Sequence, residues 1–227
     1  MTFARWVTGE AIAYAKCGLN ATRRAPIARH HADRVRVGVL LVHGVGADRT
    51  QFSALADALA PTGAWIDGFD YPTARPFSTT LAELSRAITQ ARQKADRLVL
   101  VGHSLGGVLL SMLVQGDDPP PHAAGLVTVC APLHGTTRGR LAPWPDVRGI
   151  TPDGPHIRRL IETRHRLATW GQPILTIGAD RDAFVAPVES AFLEGHPTLR
   201  LEGSGHVASL FDPRTHAAIS ALVRSRF

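Results

Sequence analysis

The chain has 227 residues and a mass of 24.4 kDa; 44% of its residues are hydrophobic and 19% charged, and its formal net charge is +6. That length suits one domain with a substantial core. Its apolar runs are short and bounded by charge or glycine, which excludes a transmembrane helix. Arg5, Glu10 and Lys16 interrupt the apolar residues from Phe3 to Cys17 and no cleavage site follows. No secretory leader is therefore expected, and the chain reads as cytoplasmic. Cys17 and Cys130 form neither a disulfide framework nor a metal-ligand spacing, and Cys130 reads as a buried apolar residue. No cofactor or metal ion is expected. The basic excess concentrates at Arg5, Lys16, Arg23, Arg24, Arg29, Arg34 and Arg36, with a second cluster between Arg138 and Arg166. Such clusters attract anionic surfaces, and the N-terminal one offers peripheral contact with a membrane. The simpler reading is a solvated face, and no nucleic-acid partner is expected.

In chain order, Phe3, Trp6, Val7, Ala11 and Tyr14 recur at helical spacing after the capping Thr2, and Gly18 ends that amphipathic helix. Residues 20–34 are basic and contain Pro26, so they read as a loop, and residues 1–34 stand apart from a main domain at 35–227. Val37–Val42 is a buried strand, followed by a helix through Phe52, Leu55, Ala58 and Leu59. A short strand at 64–69 precedes a helix with Leu81, Leu84, Ala87, Ile88 and Ala91 on one face. Arg97–Val101, Gly125–Cys130, Pro173–Ile177 and Thr198–Leu201 are further strands, and a helix through Ala217, Ile219 and Leu222 closes the chain. Apolar strands alternating with amphipathic helices predict an α/β fold, a mostly parallel sheet of about six strands covered on both faces. Ligands in such sheets bind beyond the carboxyl ends of the strands. Residues 131–156 break the alternation with Pro132, Pro143, Pro145, Pro152 and Pro155 and read as a lid-like or pocket-wall insertion. Apolar Leu141 and Trp144 would otherwise be stranded among turn residues.

Gly102-His103-Ser104-Leu105-Gly106-Gly107 joins the strand ending at Val101 to the apolar run from Val108. In a strand–turn–helix setting, G-x-S-x-G holds a serine hydroxyl out of the sheet at a helix N-terminus, where a developing oxyanion is favoured. Ser104 is thus the nucleophile candidate. A base must accompany it, and the base needs an orienting acid. Among eleven histidines, His206 in Gly203-Ser204-Gly205-His206 follows the last strand and is the best placed. His103 neighbours the serine, but a tight turn should point its side chain elsewhere. Asp180 and Asp182 compete for the acid, with Asp180 also able to brace the loop or pair with Arg181. The backbone amides of Leu105 and of Val45, in the glycine-rich turn after the first strand, would form the oxyanion hole. His43 has a plainer reading as a ring that holds that turn.

These stretches resemble the α/β-hydrolase superfamily, and within it compact bacterial triacylglycerol lipases and carboxylesterases. The resemblance rests on Leu41-Val42-His43-Gly44-Val45-Gly46, the segment around Ser104, Ala131-Pro132-Leu133-His134-Gly135-Thr136 and the acid and histidine loops. Leu133 separates the proline and histidine that are adjacent in the lipase segment. The resemblance implies an α/β-hydrolase fold. Its D-x-x-V pattern selects Asp182, three residues before Val185, and its glycine-preceded histidine matches His206. It implies a Ser104–His206–Asp182 esterase or lipase working on a small-molecule or lipid ester through an acyl-enzyme. Substrate-facing positions are expected at His43, Leu133, Leu141, Trp144, Phe184 and Val185. The alternatives are a thioesterase or acyltransferase on the same triad, or a non-catalytic protein that binds a lipid or partner; fold alone does not choose among them.

Overall fold

A computed structural model of the chain describes residues 10–13, 15 and 34–227. Its sheet contains β1 (Val35–Val42), β2 (Trp65–Phe69), β3 (Ala95–His103), β4 (Ala123–Val129), β5 (Ile174–Ala179) and β6 (Thr198–Leu201). They lie in the order β2-β1-β3-β4-β5-β6, and every neighbouring pair is parallel. Around them pack α1 (Ser53–Leu59), α2 (Phe77–Ala91), α3 (Leu105–Val114) and α7 (Pro213–Arg224). Among the described residues no helix is long and apolar enough to cross a membrane.

Alternation along the strands explains the two layers of core. Successive side chains on a strand point to opposite faces, so a sheet covered on both sides needs continuous apolar runs. Leu40, Val42, Leu98 and Leu100 pack on one face with Leu84 and Ile88 of α2 and with α3. Val37, Val39, Leu41, Val99 and Val101 pack on the other, with α1 and α7. Strand order positions the site: the chain leaves β1 in one direction to make β2, then returns to build β3 on the other side of β1. The crevice beyond the carboxyl ends of β1 and β3 is the reversal point where such sheets take ligands.

In the N-terminal helix Ala13 is buried, whereas Ala11 is exposed. The Thr2 cap, Phe3, Trp6, Val7, Tyr14, Gly18 and the loop through residue 33 lie outside the described residues. Segment 131–156, expected as a lid-like or pocket-wall insertion, holds a 3-10 turn at Thr137–Leu141 and α4 (Pro145–Arg148), and Pro155 opens α5 (Pro155–Glu162), with α6 (Arg166–Trp170) beyond. Pro145 and Pro155 occupy the first helical turn, where a missing N–H costs nothing, so they start helices rather than break them.

The turn from β3 into α3 tolerates no side chain at Gly106, where a Cβ would stand 2.1 Å from the Val42 carbonyl oxygen on β1. Gly106→Ala must push α3 away from the sheet, and a loss of at least about 2 kcal/mol in unfolding free energy is expected from urea titration. An unchanged midpoint would contradict this packing.

Candidate active site

Ser104 sits between β3 and α3 with φ 53° and ψ −121°, a left-handed backbone rarely adopted by residues other than glycine. Its N–H donates to the Val129 carbonyl at 2.9 Å, which ties the turn to β4. Leu105 is the first residue of α3, so its N–H is among those without an intrahelical partner and stands beside the serine. On the β1 side, a Cβ on Gly44 would lie 2.9 Å from the Ser104 Cβ, so only glycine lets the Val45 turn approach this closely. Val45 and Ser104 line the same cavity.

The loops after β5 and β6 bring Asp182 to His206. The His206 Nδ1 donates to the Asp182 Oδ2 at 2.7 Å, and both side chains are buried. The other oxygen, Oδ1, accepts the N–H groups of Phe184 and Val185, each at 2.8 Å. Burial pushes the Asp182 carboxyl up, but the charge and hydrogen bond of His206 and these two amides outweigh it, so the group is held below the usual carboxylate range. Asp180 has a different task, accepting the Gly203 N–H at 2.7 Å and bracing the loop that carries His206.

A second layer of contacts fixes the histidine loop. The Ser209 hydroxyl donates to the His206 carbonyl at 2.6 Å, and the His103 Nε2 lies 3.2 Å from the same oxygen. The His103 and His206 rings are 4.7 Å apart, so His103 does not point away from the site as the sequence led us to expect. The two amides after His206, those of Val207 and Ala208, donate to the Glu10 carboxylate at 2.8 and 3.1 Å. The Cys130 thiol reaches the Ser209 hydroxyl at 3.4 Å. Cys130, Asp182 and His206 offer atoms within 4.8 Å of one another. Burial pushes the Cys130 thiol well up, keeping it protonated and a poor metal ligand, while the other two are spent on each other.

Ser104 and His206 open onto a cavity of about 700 Å³. Leu141, Trp144, Phe184 and Val185 line it. His43 and Leu133 do not. His43 is buried, stacked on Tyr71 at 4.3 Å, and accepts the Tyr71 N–H at its Nε2. Leu133 is packed in the core behind the wall. The wall segment is anchored rather than loose: Asp146 accepts the Phe77 N–H at 2.7 Å, and the Thr136 hydroxyl donates to the Phe184 carbonyl at 2.7 Å. Sequence reading missed His103, Glu10, Gln51, Thr136 and Arg138 at or around this site. Local signals were present for His103, beside the nucleophile, and for Thr136, in the segment that carries the family resemblance.

A family model described as "Alpha/beta hydrolase family" matches residues 39–225. The sequence matches no curated protein. Among solved structures, the mature lipase BlEst2 of Bacillus licheniformis is similar with a TM-score of 0.69 at 13% identity, covering 85% of this chain and 94% of that one. Est1E from Butyrivibrio proteoclasticus gives 0.66 at 15% identity, over 88% and 91%. A bacterial membrane phospholipase A gives 0.59 at 17% identity, over 97% and 95%. At these identities the likeness is one of fold.

Burial, reinforced by the nearby His206, lowers His103 to about 3, so it stays neutral through the physiological range. Because its folded value is depressed from the ordinary 6.5, its contribution to stability is fully present above that pH and is lost as pH falls toward 3. Each pH unit in this window costs about 1.4 kcal/mol. Between pH 6.5 and 4 the wild type should lose about 3 kcal/mol more unfolding free energy than His103→Gln, which keeps a donor but cannot titrate. Parallel pH curves for the two proteins would contradict a buried neutral imidazole.

Proposed function

We propose that this chain, which belongs to the alpha/beta hydrolase family, is a serine hydrolase that cleaves carboxylic esters through an acyl-enzyme. The observation that carries the reading is the closed Asp182–His206 pair, at 2.7 Å, sharing one apolar-walled cavity with a serine held in a left-handed backbone. Asp182 fixes the imidazole with its proton on Nδ1, leaving Nε2 free to act as a base. As Ser104 Oγ attacks the ester carbonyl, His206 Nε2 takes the hydroxyl proton. The carbonyl oxygen becomes an oxyanion, which the N–H groups of Val45 and Leu105 receive. The C–O bond to the alcohol then breaks, and the alcohol leaves with the proton from His206. Water attacks the acyl-serine with His206 again as base, releasing the acid and restoring Ser104.

The second layer described above serves this cycle. The imidazole must stay in place while it gains and loses charge, and its loop is held from Asp180, Ser209, His103 and Glu10. Apolar Leu141, Trp144 and Phe184 suit the acyl portion of an ester. Lipolytic activity named for similar structures, a lipase in BlEst2 and a phospholipase A in the membrane enzyme, agrees with that class of substrate.

Hydrolysis of p-nitrophenyl esters from acetate to palmitate tests the reading. Ser104→Ala is expected to lower kcat by about ten-thousand-fold or more, and Asp182→Asn by a comparable factor. Full esterase activity in Ser104→Ala would overturn it. The chain-length profile separates a short-ester esterase from a lipase.

A further inference from the structure

Two polar side chains on the cavity wall are open to a ligand, one of them buried without the partner that such a group ordinarily has. Gln51 lines the cavity and is 4% exposed, yet its Nε2 has no hydrogen-bond partner among the described residues. A buried donor left unmade costs about 1–3 kcal/mol and marks a position where a ligand atom restores the bond. Arg138 lines the same cavity from the 3-10 turn at Thr137–Leu141. Its side chain is exposed at the cavity mouth, and among the described residues no carboxylate lies within 4 Å of its guanidinium, so its charge is not taken up by a neighbour as that of Arg49 is by Asp67 and Asp70. Arg138 is held in place by its backbone: the Thr136 hydroxyl oxygen accepts its N–H at 3.2 Å, and the same hydroxyl grips the Asp182 loop at the Phe184 carbonyl. Its side chain is free to serve a ligand.

The rest of the wall narrows what that ligand carries. Asp48 is the other carboxylate or guanidinium residue there, and its Oδ1 is turned onto the N–H and hydroxyl of Thr50. Neighbouring Arg49 is occupied by Asp67 and Asp70. Around these the surface is largely apolar, with Leu141, Trp144 and Val147. A guanidinium beside apolar surface gains most from an anion that excludes water as it binds, and its planar fork matches carboxylate and phosphate oxygens. The geometry points to esters that carry a second, negatively charged group, a carboxylate or phosphate. Arg138 supplies the counter-charge, and the Gln51 amide donates to an oxygen of the substrate. This inference rests on the serine hydrolase reading and adds a substrate class to it.

Two matched pairs of probes test it. Mono-p-nitrophenyl glutarate against p-nitrophenyl hexanoate places the charge on the acyl side. 1-Butyrylglycerol 3-phosphate against 1-butyrylglycerol places it on the alcohol side. The ratio of kcat/KM, charged over neutral, is expected to fall about tenfold in Arg138→Ala for at least one pair, the size of one lost charge-assisted hydrogen bond. Gln51→Leu should lower kcat/KM for the charged member of that pair. Arg140→Ala, whose side chain does not line the cavity, should leave the ratio as in the wild type. Ratios unchanged in both Arg138→Ala and Gln51→Leu, with ester hydrolysis intact, overturn the inference and leave the hydrolase reading standing. A binding arm separates the two claims: glutarate or glycerol 3-phosphate should protect the Ser104→Ala protein against thermal unfolding, and Arg138→Ala should abolish that protection. Protection without turnover would support the anion site and sink the hydrolase reading; no protection by either anion, together with unchanged ratios or no turnover, sinks the anion site.

Discussion

The candidate site depends on how closely two loops can approach at one edge of the sheet. β3 must end and α3 begin within a single residue, which forces Ser104 into a left-handed backbone. That conformation is tolerable only because α3 lies almost against β1, with no room for a Cβ at Gly106, and because Gly44 lets the first loop touch the serine. Strain of this kind persists where the surroundings over-determine it. Here the surroundings are the buried central strands β1, β3 and β4, packed on both faces. The core thereby holds this serine out of the sheet with amide N–H groups beside it, as the proposed chemistry needs.

The histidine is held by a different logic. β6 is only four residues long and lies at the sheet edge, so the loop after it gains little stiffness from the sheet. Its rigidity comes from polar contacts gathered from distant parts of the chain. Asp180 and Asp182 come from the loop after β5, His103 from the end of β3, Ser209 from the following 3-10 turn and Glu10 from the N-terminal helix. Burial keeps His103 neutral in this network. His206 is thus oriented by a network whose members are themselves buried or paired, an arrangement that suits the base role proposed for it.

What could be read in advance follows from how local each signal is. Strands buried on both faces are unbroken apolar runs, so β1, β3, β4 and β5 were legible from hydrophobicity, whereas the edge strands β2 and β6, with Asp67 and Arg200, are weaker runs. Ser104 was legible because its turn, its glycines and both flanking elements are contiguous, and Asp182 and His206 because each follows a strand end with a short pattern of its own. Contacts that depend on tertiary approach were not legible. Nothing near Glu10 announces that it receives the amides of Val207 and Ala208, 197 and 198 positions away. His43 and Leu133 were placed on the wall by pattern, yet each sits beside the site with its side chain turned into packed surroundings. Pro145 and Pro155 looked like breakers because a proline at the first helical turn and one in a loop are the same letter. Ala13 replaced Ala11 on the buried side of the first helix since a few small residues define a helical face weakly.

The central claim is that Ser104 is a nucleophile activated by the His206–Asp182 pair. Labelling with a fluorophosphonate, followed by peptide mass spectrometry, tests it without assuming a substrate. One covalent adduct is expected, on Ser104, forming quickly in the wild type and far more slowly in His206→Ala and Asp182→Asn. An adduct on another residue, or a labelling rate at Ser104 indifferent to His206 and Asp182, would contradict it.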